Sequence, residues 1–423
     1  MRGLCRLVLQ RHGAISNTFD GWINSMKQSI HQLVALPLAM ASALLLGACA
    51  HQSDAVPAGP NKSAVHAAWP TQQCSFSTQV DDWPSITAGL AAAAVAPQFS
   101  VVRLQAEGVK SAPDIMARVL DLGQVQVRSA QANASISRVG IPNRLPEAWS
   151  RSSGDAAKDE AQRISNRLNG SGYFGDKVDL RFRFPAWEYA FALTDTSDAD
   201  CARRSLVFFN AAGQLIHTVT LANTSHEADF DALVQDFRHA DQSVPAKLEP
   251  VQALDAQAAS VPDAQVDLKA YHEAWNAIDD VHQFNRVLRD FKLKREQSVR
   301  LGPTDKARAL APAAVEELLR SAVKEAIPIM VFVSNGAVIQ VHGDTIHNVR
   351  AVGDWLIVDD PDSYITINRA AVHSAWAIER AGVYSVDVFD GQAQLIASFF
   401  GVRSKDNPEP APWINLVKRL PAQ

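Results

Sequence analysis

The chain has 423 residues, 47% hydrophobic and 20% charged, with Gly and Pro at 21 each. That is a folding composition, neither disordered nor collagenous, with room for two or three buried cores at roughly 150 residues per domain. The 40 basic and 45 acidic side chains leave a formal charge of −5, and no long basic run occurs, so a general nucleic-acid binder lacks its electrostatic footprint. None of Cys5, Cys49, Cys74 and Cys201 stands at the two-residue spacing of a zinc or redox motif.

The first element is an uncharged run from Leu33 to Ala48 that ends at Cys49. It is shorter than the ~20 apolar residues of a spanning helix, and Pro37 interrupts it. Met26-Lys27 upstream supplies a start and a positive charge, and Leu46-Gly47-Ala48-Cys49 resembles a bacterial lipobox. That resemblance implies removal of residues 1–48, a diacylglycerol on Cys49 and an envelope protein anchored to a membrane. The competing reading is a buried apolar helix in a cytoplasmic protein. Residues 49–69 read as a tether rich in Ala, Pro, Ser and Asn. An oxidising compartment would permit Cys74 to pair with Cys201.

The folded part repeats itself. Ser205 to His217 (SLVFFNAAGQLIH) aligns without a gap on Ser385 to Ala397 (SVDVFDGQAQLIA), each half reading as a hairpin. Upstream, Val178 to Ala192 can be laid on Ser363 to Ala377, an alternating strand leading to a turn and then Ala-aromatic-Ala. Further upstream, Pro113 to Val127 and Val315 to Val331 each place a helix before a strand. The predicted fold is α+β: a tandem duplication of a mostly antiparallel-sheet unit with flanking helices. The first repeat spans 70–243, a Pro-containing linker 244–267 and the second repeat 268–423. Tyr271 to Gln297 carries apolar residues at helical spacing, so the second repeat should open with a helix; Asn335-Gly336 between Val-rich runs predicts a hairpin.

Motifs for nucleophilic, nucleotide-dependent or zinc-protease chemistry do not occur. Histidine remains. His217 faces Ala397 in the repeat alignment, so the duplicated fold does not need an imidazole there. Strand alternation sets it opposite Ile216, toward another face or cleft; the plain alternative is a solvent-facing strand histidine. His342 and His347 flank a turn and read as a polar loop edge.

An ordered set of segments then resembles the haemin-degrading, haem-utilisation family of HemS/HmuS type. The segments are Val178 to Arg181, Trp187 to Ala192, Arg203 to Asn210, Gly213 to His217, Asp280 to Phe284, Phe332 to Gly336, Ile339 to His342, Val358 to Asp362, Ala375-Trp376 and Phe399 to Arg403. The resemblance implies two stacked repeats, b-type haem (iron protoporphyrin IX) in a cleft, and a part in iron or haem acquisition and transport alongside an envelope haem transporter. It places the axial iron ligand on His217, and the propionates need cations, for which Arg181, Arg369 and Arg403 are candidates.

Departures from the family bear on activity. Where the family carries a distal arginine this chain has Ala130; Ile136 and Thr218 replace a histidine and a lysine, and Arg128 and Arg138 lie nearby. Haem carriage is therefore the leading expectation, a haem-oxygenase-like enzyme that releases iron is the alternative, with Arg128 filling the distal role, and a haem-free structural lipoprotein is the second alternative.

Overall fold

The computed structural model describes residues 98–106, 108–144, 171–175, 177–196, 202–243, 260–403 and 407–423, with Ser85, Ile86, Gly89 and Leu248. The signal segment 1–48, the tether, Cys49, Cys74 and Cys201 lie outside the described residues. No helix among the described residues is long and apolar enough to cross a membrane.

The two repeats run through the same elements. The first has β1 (Phe99–Leu104), α1 (Gly108–Val119), β2 (Val125–Gln131), β3 (Ala134–Gly140), β4 (Asn143–Arg144), β5 (Ser171–Gly175), β6 (Asp179–Arg183), β7 (Tyr189–Asp195), β8 (Arg203–Phe209), β9 (Leu215–Leu221) and α2 (Glu227–Asp236). Three short helices follow: α3 (Leu268–Asn276), α4 (Phe284–Asp290) and α5 (Arg295–Arg300). The second repeat then has β10 (Ala307–Leu310), α6 (Ala314–Lys324), β11 (Ile329–Ser334), β12 (Val338–Asp344), β13 (Val349–Val352), β14 (Trp355–Asp360), β15 (Ser363–Asn368), β16 (Ser374–Arg380), β17 (Val383–Phe389), β18 (Leu395–Gly401) and α7 (Ala411–Arg419).

The fold is the duplicated α+β unit that the sequence predicts, with one feature the alignment does not reveal. Each repeat gives its three-stranded meander to the other's sheet. The sheets run β1-β7-β8-β9-β2-β3-β15-β14-β13 and β10-β16-β17-β18-β11-β12-β6-β5-β4. The seams are antiparallel, with Ile365 opposite Ile136 in β15/β3 and Leu180 opposite Gln340 in β6/β12. Both cores are consequently mixed. One packs α1 residues Ala112, Ile115, Met116 and Val119, at helical spacing, against β8, β9 and the donated Leu180 and Phe182. The other packs α6 residues Val315, Leu318, Leu319 and Ala322 against β11, β17, β18 and the donated Ile365 and Ile367.

The predicted opening helix of the second repeat is broken. The Asp280 side chain accepts the His282 N–H and caps a separate 3₁₀ turn, and Lys292 adopts φ +52°, so the apolar stripe is cut into α3, α4 and α5. Tyr271, Trp275, Phe284 and Val287 still share one cluster, packed against Ile378 and Phe389 of sheet two. The Asn335-Gly336 hairpin forms as predicted, with Gly336 at φ +82°.

His342 is not a loop-edge residue; it is 1% exposed. It meets Arg138, its counterpart in the other repeat, where the two sheets approach. Arg138 donates to His342 Nδ1, and the Ser363 hydroxyl lies 3.0 Å from the same atom. Arg138 also lies 3.3 Å from Asp344 and 3.9 Å from Asp362, which Lys177 reaches at 2.9 Å. His347, by contrast, keeps an exposed side chain near Asp360.

Burial, and then the Arg138 charge, push the His342 pKa from 6.5 down to about 4. The unfolded chain therefore takes up this proton first as pH falls. The cluster contributes full stability above about 6.5 and loses it progressively toward about 4, roughly 2 kcal/mol by pH 5. Urea midpoints at pH 7.5 and pH 5 should differ less in His342→Gln than in the parent chain; an unchanged difference would show that His342 is not the proton acceptor.

Candidate functional site

His217 sits on β9 of the hairpin β8–β9. The loop before it is set locally: Asn210 Oδ1 accepts the backbone N–H groups of Ala212 and Gln214, and Gly213 takes φ +72° where a Cβ would lie 2.8 Å from Leu248. Phe208 pairs with His217 but Phe209 pairs with Leu215, so Ile216 is the extra residue of a β-bulge. The bulge breaks the alternation expected from sequence. Ile216 joins the first core and His217 turns into that same core, 1% exposed, rather than toward an opposite face or solvent.

Three aromatic rings wall the imidazole. The centroids of Trp187, Phe182 and Phe208 lie 5.8, 6.2 and 6.3 Å from that of His217. Ser129 Oγ on β2 lies 2.9 Å from Nδ1. Burial drives the pKa from 6.5 to about 3, and a ring N–H donated to the Arg128 backbone carbonyl offsets only part of that. Nε2 is buried and has no hydrogen-bond partner. With the proton on Nδ1, donated to that carbonyl, Nε2 presents a bare lone pair on a neutral ring.

The second repeat has the same bulge, with Val388 opposite Ala397. There the counterparts of Ser129, Phe182, Trp187, Phe208 and His217 are Val333, Ile367, Val372, Val388 and Ala397, all buried. One copy holds a hydrogen-bonded imidazole in an aromatic box; the other is plain aliphatic core. The box is closed by the second repeat's hairpin, whose Ala337 carbonyl accepts the Trp187 indole N–H at 3.2 Å.

The four arginines do not converge on this ring. Arg128 pairs with Thr218 one residue from Ser129, which puts it on the other face of sheet one, as it does Ala130. Arg181 alternates with Phe182 on β6, lies 5.3 Å above the Phe332 ring and is 3.7 Å from Asp179. Arg369 binds Glu316 at 3.0 Å and the Gly353 carbonyl at 2.9 Å. Arg403 follows β18 close to Glu409, whose pKa burial raises to about 7 against the pull of that guanidinium. Ser129 and Phe182 were missed as site residues. The repeat alignment did hold a signal, because it sets Trp187 against Val372 and Phe208 against Val388.

Residues 165–237 and 292–420 match the haemin-degrading HemS.ChuX domain. The chain belongs to the HemS/ChuX haemin-utilisation family. It is 27% identical over 248 residues to the hemin transport protein HemS of Yersinia enterocolitica, an alignment covering 57% of this chain and 70% of that relative. HmuS of Yersinia pestis matches equally, at 27% over 247 residues, 57% of this chain and 70% of its own. Among solved structures, apo-PhuS, a heme-binding protein from Pseudomonas aeruginosa, superposes with TM-score 0.66 at 25% identity, covering 80% of this chain and 94% of PhuS. The Escherichia coli heme oxygenase ChuS shares the fold, with TM-score 0.61 at 21% identity over 81% of this chain and 94% of ChuS.

A polar ring held in an apolar core at a place where the sister repeat needs none is a stability cost. His217→Leu should leave the ligand-free protein more stable by about 1–2 kcal/mol, whereas Ser129→Ala, which removes the hydroxyl partner of Nδ1 and leaves the Arg128 carbonyl, should weaken it by about 0.5–1 kcal/mol. Urea denaturation of both variants checks the signs; a large loss in His217→Leu would mark the imidazole as a structural element.

Proposed function

We propose that this chain binds b-type haem through His217 Nε2 and serves haem acquisition and transport. The observation that carries this reading is the bare, neutral Nε2 inside an aromatic box that only one of the two repeats possesses. The donor suits iron: a neutral imidazole whose other nitrogen is fixed by a hydrogen bond is a common axial ligand. Bound haem would supply a Lewis-acidic iron, which His217 would hold. The chain supplies the rest: Ser129 and the Arg128 carbonyl hold the proton on Nδ1, and Phe182, Trp187 and Phe208 exclude water. The ring is buried in the enclosed orientation, so haem binding would require His217 to leave the box. Arg128, on the strand beside β9, joins Arg181, Arg369 and Arg403 as a candidate cation for the propionates.

Carriage is favoured over ring opening. Ala130 stands where the family resemblance expects an arginine, and Arg138 is committed to His342 and Asp344. A lost charge-assisted hydrogen bond of roughly 1.5–3 kcal/mol is worth one to two decades in rate if it acts only in the transition state. Titration with haemin should shift the Soret band, and His217→Ala should weaken or abolish that shift. With reductant and catalase present, the band should decay no faster than that of free haem. Identical titrations of the two proteins would remove His217 from the site; stoichiometric iron release with an open tetrapyrrole would replace the carrier with an enzyme.

The amino-terminal sequence supports an envelope location. Cleavage before Cys49 and lipidation of its sulfur would tether the haem-binding part to the bacterial cell envelope. Ring cleavage draws electrons from reductases that are commonly cytosolic, so this location also favours carriage. Labelled palmitate should enter the protein in cells and be lost in Cys49→Ser; unlabelled wild-type protein in the soluble cytosol would refute the anchor.

A further inference from the structure

The second repeat reaches into the first at one side chain. Asn335, at the tip of hairpin β11–β12, accepts the N–H groups of Ala337 and Val338 on Oδ1 at 3.1 and 2.9 Å, which fixes its own turn. Its amide nitrogen then donates to two carbonyls of the other repeat, Ile216 at 2.6 Å and Ala130 at 3.1 Å. Ile216 is the bulge residue directly before His217, and Ala130 directly follows Ser129, the hydroxyl partner of that imidazole. One amide thus grips both strands that hold the ring, each at the neighbouring residue. The same hairpin also holds the box wall through the Trp187–Ala337 hydrogen bond.

We propose that Asn335 is a positioning residue that keeps His217 enclosed, and that release of this clamp is the step that delivers the imidazole to a haem-type ligand. The physical basis is the bulge. A bulge residue lies out of the ladder, and its carbonyl needs a donor from elsewhere; Asn335 is that donor. Because side chains alternate with a period of two, moving the bulge by one residue turns His217 from the core to the face of sheet one that carries Arg128. Loss of the amide contacts lowers the cost of that shift without touching the imidazole itself.

The duplication provides a matched control. Gln131, the first-repeat counterpart of Asn335, donates to the carbonyls of Ile396 at 2.9 Å and Leu395 at 3.3 Å, beside Ala397. That clasp holds only β18, where the Asn335 amide spans two strands, and it ends on no imidazole. The inference rests on the haem reading above for its ligand, but its first test does not involve haem.

The test compares Asn335→Asp, which keeps Oδ1 and loses both N–H groups, with Asn335→Ser, which is too short to span to the carbonyls, and with Gln131→Ala. Ligand-free proteins are treated with diethyl pyrocarbonate near pH 7, and acylation of His217 is read by mass spectrometry. His217 should resist acylation in the parent and in Gln131→Ala and react in both Asn335 variants. In stopped-flow mixing with haemin, the Asn335 variants should associate about tenfold faster, the value of one hydrogen bond as a shift in the open population, with the parent's final spectrum. Folded Asn335 variants with protected His217, or an equal gain in Gln131→Ala, would overturn the proposal. Failure of both variants to fold would also overturn it, since the contact would then serve folding. Raised acylation together with haemin binding that ignores His217→Ala would leave the positioning role intact and remove the haem reading instead.

Discussion

Everything in this fold depends on the two seams where β3 pairs with β15 and β12 pairs with β6. Each seam completes one repeat's sheet with the other's meander, so neither core is built from one half of the sequence. Phe182 illustrates the consequence. It belongs to a strand of sheet two, yet it is a wall of the imidazole box whose histidine stands in sheet one. The exchange also explains why the hairpin tips of each repeat touch the bulged strand of the other, through Asn335 in one direction and Gln131 in the other.

Duplication left two copies of one architecture and allowed their interiors to diverge. Where the second repeat sets Val333, Ile367, Val372 and Val388 with Ala397, the first accepts a histidine, a serine and three aromatic rings without any change of element order. Other buried polar groups gather around charged partners. Asp387 binds Arg295 at 3.0 Å, accepts the Ser398 hydroxyl at 2.7 Å and lies 3.8 Å from Arg380, which stacks on Phe284. Arg138 donates to His342 Nδ1 where the repeats meet. His217 differs in its surroundings: its bare Nε2 lies in a box of three aromatic rings, whereas His342, whose Nε2 is also without a partner, lies among Arg138, Asp344 and Asp362. A fold optimised for stability alone would put an aliphatic side chain there, which is the reason to read the position as functional.

The duplicated α+β unit, its hairpins, the helices α1 and α6 and the singularity of His217 were all legible in the amino-acid sequence. Alternation and helical spacing are local properties, and an asymmetry between aligned repeats needs no coordinates. The three-way break of the helical stretch after Tyr271 was less accessible, since it turns on one aspartate cap and one left-handed lysine.

The direction of the His217 ring, the burial of His342, the box around the imidazole and the exchange of meanders were decided only in three dimensions. A single bulge residue reverses which face a strand side chain occupies, and the sequence carries no period that announces it. Strand exchange is equally silent, because a meander donated across a seam presents the same alternating residues as one kept at home; the pairing partner is chosen by the packing of two cores at once, and that is a property of the whole chain.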